Sequence, residues 1–95
     1  MRPYEVTFIV RPNVEAENLN AVVERVKGLV TNGGGQVTEV NAWGRRQLAY
    51  PISKITEGQY FLMRAQLPAQ LVSGLEHDLR LTEQIIRFLI VRADE

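Results

Sequence analysis

The densest chemistry in the chain lies at Trp43–Pro51, read WGRRQLAYP, which holds the only Trp, two adjacent Arg and a Tyr. Aromatic faces stack on nucleobases, and a guanidinium pairs with phosphate through a rigid fork of donors. This is binding chemistry. The residue types for bond-breaking chemistry do not come together anywhere. There is no nucleophile–base pairing, no phosphate-cradling loop and no dinucleotide fingerprint. Zero Cys removes disulfides and thiolate metal sites. The single His, His77, lies between Glu76 and Asp78 and reads as solvated, with no ligands at a spacing that would converge on a metal. The expectation is a protein that is not an enzyme and carries no metal or cofactor.

A strand must carry the Trp43–Pro51 run. Val37, Thr38 and Val40 precede it, and Leu48 and Tyr50 follow on the parity of Val40 and Ala42, so Gln36–Ile52 predicts one long strand. Gly44 marks a bend or bulge within it. Pro51 cannot donate to a ladder, which places this strand at a sheet edge or end.

The other elements follow from the same patterns. Tyr4, Val6, Phe8 and Val10 alternate, giving a first strand over Tyr4–Val10. Leu19, Val22, Val23, Val26, Leu29 and Val30 form one helical stripe, capped by Asn13 and closed by Gly33–Gly35, with Glu15 and Glu17 suiting its positive end. Lys54–Gly58 reads as a polar turn and Gln59–Leu67 as a third strand, with Phe61, Met63, Ala65 and Leu67 on one face. Pro68 suits the first turn of a second helix whose buried stripe is Leu71, Leu75 and Leu79, with Val72 beside it. Gln84–Arg92 is the last strand, with Ile86, Phe88 and Ile90 on one face and Ile85, Arg87, Leu89 and Val91 on the other.

The order β-α-β-β-α-β predicts an α+β, ferredoxin-like split βαβ fold, a four-stranded antiparallel sheet with both helices on one face. The other face stays open, with Ile9, Leu62, Leu89 and Val91 beside Arg64 and Arg87. A part-apolar, part-cationic face suits a partner better than bare water.

The 95 residues suit one domain over 1–95. The polar start lacks an apolar run of signal or membrane length, which implies a soluble chain that is not exported. With 11 basic and 11 acidic residues the net charge is zero, which argues against nonspecific coating of a polyanion. The charge is unevenly spread, however. From Val40 to Gln70, Arg45, Arg46, Lys54 and Arg64 face only Glu57. A basic sector on a neutral protein points to a local contact. Asp94 and Glu95 read as terminal charges.

The pattern Trp43-Gly44-Arg45-Arg46, then Leu48-Ala49-Tyr50-Pro51-Ile52, resembles the bacterial small-subunit ribosomal protein six family. So do the opening Met1-Arg2-Pro3-Tyr4-Glu5 and the stretch Gly58-Gln59-Tyr60-Phe61, and the likeness spans essentially the whole chain. Gln47 stands where that pattern has Lys or Arg, so no third basic contact is expected there. The resemblance implies a structural constituent of the small ribosomal subunit in the cytoplasm. It would bind the central domain of small-subunit ribosomal RNA together with ribosomal protein eighteen as heterodimer partner, with no membrane and no small-molecule substrate.

The candidates for RNA or partner contact are Arg2, Arg45, Arg46, Lys54, Arg64, Arg87 and Arg92 for charge, and Tyr4, Trp43, Tyr50 and Leu62 for aromatic or apolar area. Taken alone, Arg45 and Arg46 are two solvated charges, and alternation sends them to opposite faces; the resemblance favours RNA contact for at least one. Trp43 is either a stacking anchor or a packed residue at the sheet margin. Tyr4, Tyr50 and Tyr60 fit half-buried sheet positions. The third strand lacks the basic-glycine-aromatic signature of an RNA-recognition motif, so stacking across the sheet centre is not the first expectation. The competing class is a ferredoxin-like ligand-sensing or dimerisation module. An acylphosphatase is disfavoured because Arg11-Pro12-Asn13-Val14 lacks the glycines of an anion loop.

Overall fold

The computed structural model describes residues 1–52 and 54–93, so Asp94 and Glu95 lie outside the described residues. Alternation builds β1 (Arg2–Val10), which buries Tyr4, Val6, Phe8 and Val10. Helix α1 (Ala16–Asn32) buries Val22, Val26 and Val30, and Leu19, Val23 and Leu29 pack beside them. Strands β2 (Gln36–Ile52) and β3 (Ile55–Leu67) form a long hairpin. A single 3-10 turn (Ala69–Leu71) leads into α2 (Val72–Arg80), which buries Leu75 and Leu79, and β4 (Ile85–Arg92) closes the sheet.

The strand order is β2-β3-β1-β4. Each neighbouring pair is antiparallel, so β2 and β4 are the edges. This is the ferredoxin-like split βαβ arrangement, with β2 at the edge as Pro51 requires. The core lies between the helices and one sheet face, where the rings of Phe8 and Phe61 stack at 5.3 Å. At the α1–β2 connection, Gly34 takes the left-handed φ of 95° that ends the helix. Gly35 packs so closely that a Cβ would come within 2.8 Å of the Gln66 carbonyl oxygen.

Four local expectations are corrected. Asn13 does not cap α1: Arg11–Val14 closes its own turn, and the helix starts at Ala16 after an N-cap Glu15 that makes no side-chain bond. The polar turn expected at Lys54–Gly58 contracts, because β3 begins at Ile55, paired with Ile52. Lys54, at φ 70°, occupies the left-handed region that tight hairpin turns use. Pro68 precedes the helical segment in extended backbone instead of lying in its first turn. Ile85 belongs to the core, because the β1–β4 register shifts between Ile9 and Val10: Ile85 pairs with Val10 and Arg87 with Ile9. The extra residue, Ile86, then reaches the opposite face, where its Cδ1 lies 3.7 Å from the β-position of Gly58.

Candidate nucleic-acid interface

The central basic–aromatic run sits on an edge strand that does not run straight. Along β2 the register against β3 shifts between Val37 and Glu39, between Ala42 and Gly44, and between Gln47 and Ile52. A bulge bends a strand and re-aims its side chains. At the first shift, the Thr38 hydroxyl donates to the Arg64 carbonyl at 3.1 Å. At the second, Trp43 is the inserted residue, and Gly44 beside it takes a φ of 82° that an L side chain adopts only under strain. Trp43 is 46% exposed, with the Arg46 guanidinium carbon 5.8 Å from its ring centroid. At the third, Leu48, Ala49, Tyr50 and Pro51 face Thr56 alone.

That slack lets the hairpin curl. Tyr50 is 66% exposed and not half-buried as expected, because the shift between Gln47 and Ile52 takes it out of the regular ladder. It lines a cleft of about 420 Å³ with Thr7 and Ile9 of β1 and Arg87, Phe88 and Leu89 of β4. The open face therefore has a paired end and an unpaired end. At the first, Arg64 lies between Glu5 and Glu39, its nitrogens 3.3 Å and 3.9 Å from their carboxylate oxygens, and Asn41 donates to Glu39 at 2.6 Å. At the second, the side chains of Arg46, Lys54 and Arg87 make no hydrogen bond or ion pair among the described residues; Arg46 meets only the Trp43 ring.

Arg45 points the other way. It pairs with Gln59 in the register, donates to the Pro12 carbonyl at 2.8 Å and meets Glu57 at 3.4 Å. Gln59 donates to the carbonyls of Arg11 and Val14 at 3.0 Å and 3.2 Å. Together they clamp the β1–α1 turn. Arg45 and Arg46 thus lie on opposite faces, as alternation requires.

The structure withdraws two aromatic or apolar candidates from the surface. Tyr4 is 7% exposed and belongs to the core, because its parity faces the helices. Leu62 is on the open face yet only 8% exposed, since it lies between Asn41 and Thr7 on flanking strands. Arg2 and Arg92 lie near the far end of β1, opposite Leu67 and Tyr4 respectively, and both are held by interactions with neighbouring groups. Sequence reading missed the meeting of Tyr50 with Thr7, Ile9 and Arg87. The available signal was the unequal length of the hairpin arms, 17 residues in β2 against 13 in β3.

Among the described residues no cluster of His, Cys, Asp or Glu is placed to hold a metal ion, and no helix is long and apolar enough to cross a membrane. The class is a ferredoxin-like α+β domain with a part-basic, part-aromatic surface on its uncovered sheet face. The family described as Ribosomal protein S6 matches residues 3–92. The chain is 43% identical over 95 residues to small ribosomal subunit protein bS6 of Clostridium acetobutylicum, covering 100% of both chains. It is also 43% identical to bS6 of Moorella thermoacetica, covering 100% of this chain and 97% of that one. The crystal structure of 30S ribosomal protein S6 from Thermotoga maritima matches with a TM-score of 0.90 at 37% identity, over 96% of this chain and 86% of the other. The chain belongs to the ribosomal protein S6 family, whose role in the small ribosomal subunit is structural and not enzymatic.

Proposed function

We propose that this chain binds the central domain of small-subunit ribosomal RNA in the cytoplasm, paired with ribosomal protein eighteen. The observation that carries the reading is the full-length family match together with the unpaired cations of the open face and the adjoining hairpin turn. Arg46, Lys54 and Arg87 can each meet a phosphate without first breaking an ion pair. Exposed Trp43 and Leu89 offer apolar area beside them. A neutral chain with few phosphate contacts recovers little of the cost of association by itself, so a more basic partner supplies most of the charge.

Titration of central-domain RNA with the chain, with and without ribosomal protein eighteen, tests this. The chain alone binds weakly, the pair binds tightly, and by linkage the RNA tightens the protein pair by the same factor. Tight binding by the isolated chain, unchanged by the partner, would contradict the division of labour. Failure of the chain to copurify with small subunits would remove the reading altogether.

A further inference from the structure

The cleft under Tyr50 joins a residue of one sheet edge to residues of the centre and the other edge, and its walls differ in chemistry. Ile9 and Leu89 form an apolar floor, and Thr7 between Leu62 and Leu89 adds a hydroxyl that can donate and accept. Tyr50 presents an aromatic face that is mostly in solvent. Arg87 brings a guanidinium with no ion pair or hydrogen bond among the described residues. The volume of about 420 Å³ lies within the range of small-ligand sites.

We infer that this cleft takes a single unpaired nucleotide of an RNA strand, with the base between the Tyr50 ring and the Ile9–Leu89 floor and the adjacent phosphodiester on Arg87. The inference rests on the RNA-binding reading above and names the element recognised. Each wall narrows the choice. An aromatic face over an apolar floor selects a planar ring. An uncompensated guanidinium selects an anion beside that ring.

One guanidinium matches the single charge of a phosphodiester. The terminal phosphate of a free nucleotide carries close to two charges at neutral pH and would leave part of its charge unmet. A peptide strand has no ladder to join within the cleft, because β1 is paired on both sides, with β3 and β4, and the free side of edge strand β4 lies in the sheet plane and not over the face. Duplex RNA keeps its bases stacked inside and presents no free face to Tyr50.

The test titrates the 95-residue chain with single-stranded tetraadenylate or tetrauridylate at millimolar concentration and follows methyl and aromatic resonances. The Thr7, Ile9 and Leu89 methyls and the Tyr50 ring are expected to shift together. Tyr50→Ala should weaken binding about fivefold or more, and Tyr50→Phe, which keeps the ring, should change it less than about twofold. Arg87→Gln should weaken binding and flatten the log–log salt dependence by about 0.7. Blunt duplex RNA should leave the cleft resonances in place.

Several results would overturn the inference. Cleft resonances unmoved by the tetranucleotides, while the chain with ribosomal protein eighteen still binds central-domain RNA, would sink it and leave the broader reading intact. Adenosine monophosphate binding as tightly as tetraadenylate would make the cleft a free-nucleotide site. Shifts that appear only on adding the partner protein would make it a protein contact. Loss of RNA binding by both chain and pair would remove the broader reading as well.

Discussion

The two ends of the open sheet face carry the same residue types in opposite electrostatic states. At one end, Arg64 sits between Glu5 and Glu39, so its charge is matched within the chain. At the other, Arg46 lies over the Trp43 ring and Arg87 lines the cleft with Tyr50, and neither they nor Lys54 at the hairpin turn has a carboxylate paired to it among the described residues. A composition count treats all these cations alike, and the cross-strand register does not. Arg64 has an acid on each flanking strand, whereas Arg46 pairs with Gly58 and Arg87 with Ile9. The paired end contributes to sheet order and the unpaired end is available to a polyanion.

The largest expected effect separates the aromatic part of the unpaired end from the core. Trp43 is half in solvent, on a bulge, so Trp43→Ala should leave the melting temperature nearly unchanged. If Trp43 anchors the partner protein, the same change should weaken pairing by about 2 kcal/mol or more, roughly thirtyfold. Calorimetric titration with ribosomal protein eighteen, alongside thermal melts, reads both. A large fall in melting temperature with pairing intact would assign Trp43 to the fold.

The next effect concerns the floor of the unpaired end. A Cβ on Gly58 would collide with Ile9 Cγ2 and fall 3.4 Å from the Val10 carbonyl oxygen. Gly58→Ala should therefore destabilise the domain by about 1–2 kcal/mol, within the usual range for overpacking, and shift the cleft resonances. Gly28, within α1, has nothing within 4 Å of its β-position. Gly28→Ala should stabilise by about 0.5–1 kcal/mol, as glycine is a poor helix former. Chemical denaturation of both variants checks the opposite signs, and equal signs would mean that the close approach at Gly58 relaxes freely.

Adjacent Arg45 and Arg46 give the sharpest chemical contrast. Arg46→Gln should reduce the salt dependence of RNA binding by the pair by about one phosphate contact, a change of about 0.7–0.9 in log–log slope. Arg45→Gln should leave that slope alone and instead loosen the β1–α1 turn, by about 1 kcal/mol or less for a solvent-screened contact. Arg25 and Lys27 on α1 are controls: changing either to Ala should not alter RNA binding. Reversal of the two Arg phenotypes would show that the β1–α1 turn, and not the open face, meets the RNA.

Element order, the edge position of β2 and the opposed directions of Arg45 and Arg46 were all legible, because alternation, helical spacing and Pro51 act locally. The central nine residues and the chain's two flanking motifs carried the family. Less legible was anything set by register. Alternation alone put Ile85 on the open face, and one extra residue on β4 moved it into the core. Leu62 had the parity of an exposed anchor, but its exposure depends on Thr7 and Asn41, which only strand order brings beside it. Tyr50 reaches β4 because β2 is longer than its partner, a property of the hairpin as a whole.

The smallest effect belongs to the paired end, and it is the one that most directly tests the contrast. Arg64 and its two acids are partly exposed, and exposed ion pairs contribute about 0–1 kcal/mol because solvent screens them and long side chains lose freedom. Arg64→Ala should therefore cost less than about 1 kcal/mol of stability, and the cost should shrink at high salt. A double-mutant cycle of Arg64→Ala with Glu5→Gln isolates the closer contact, at 3.3 Å, and should return a coupling of a few tenths of a kcal/mol. RNA affinity of the pair should be unchanged, since Arg64 is already matched. Should Arg64→Ala instead weaken RNA binding as much as Arg46→Gln, the acids do not hold Arg64 back from phosphate, and the division of the open face into two electrostatic ends fails.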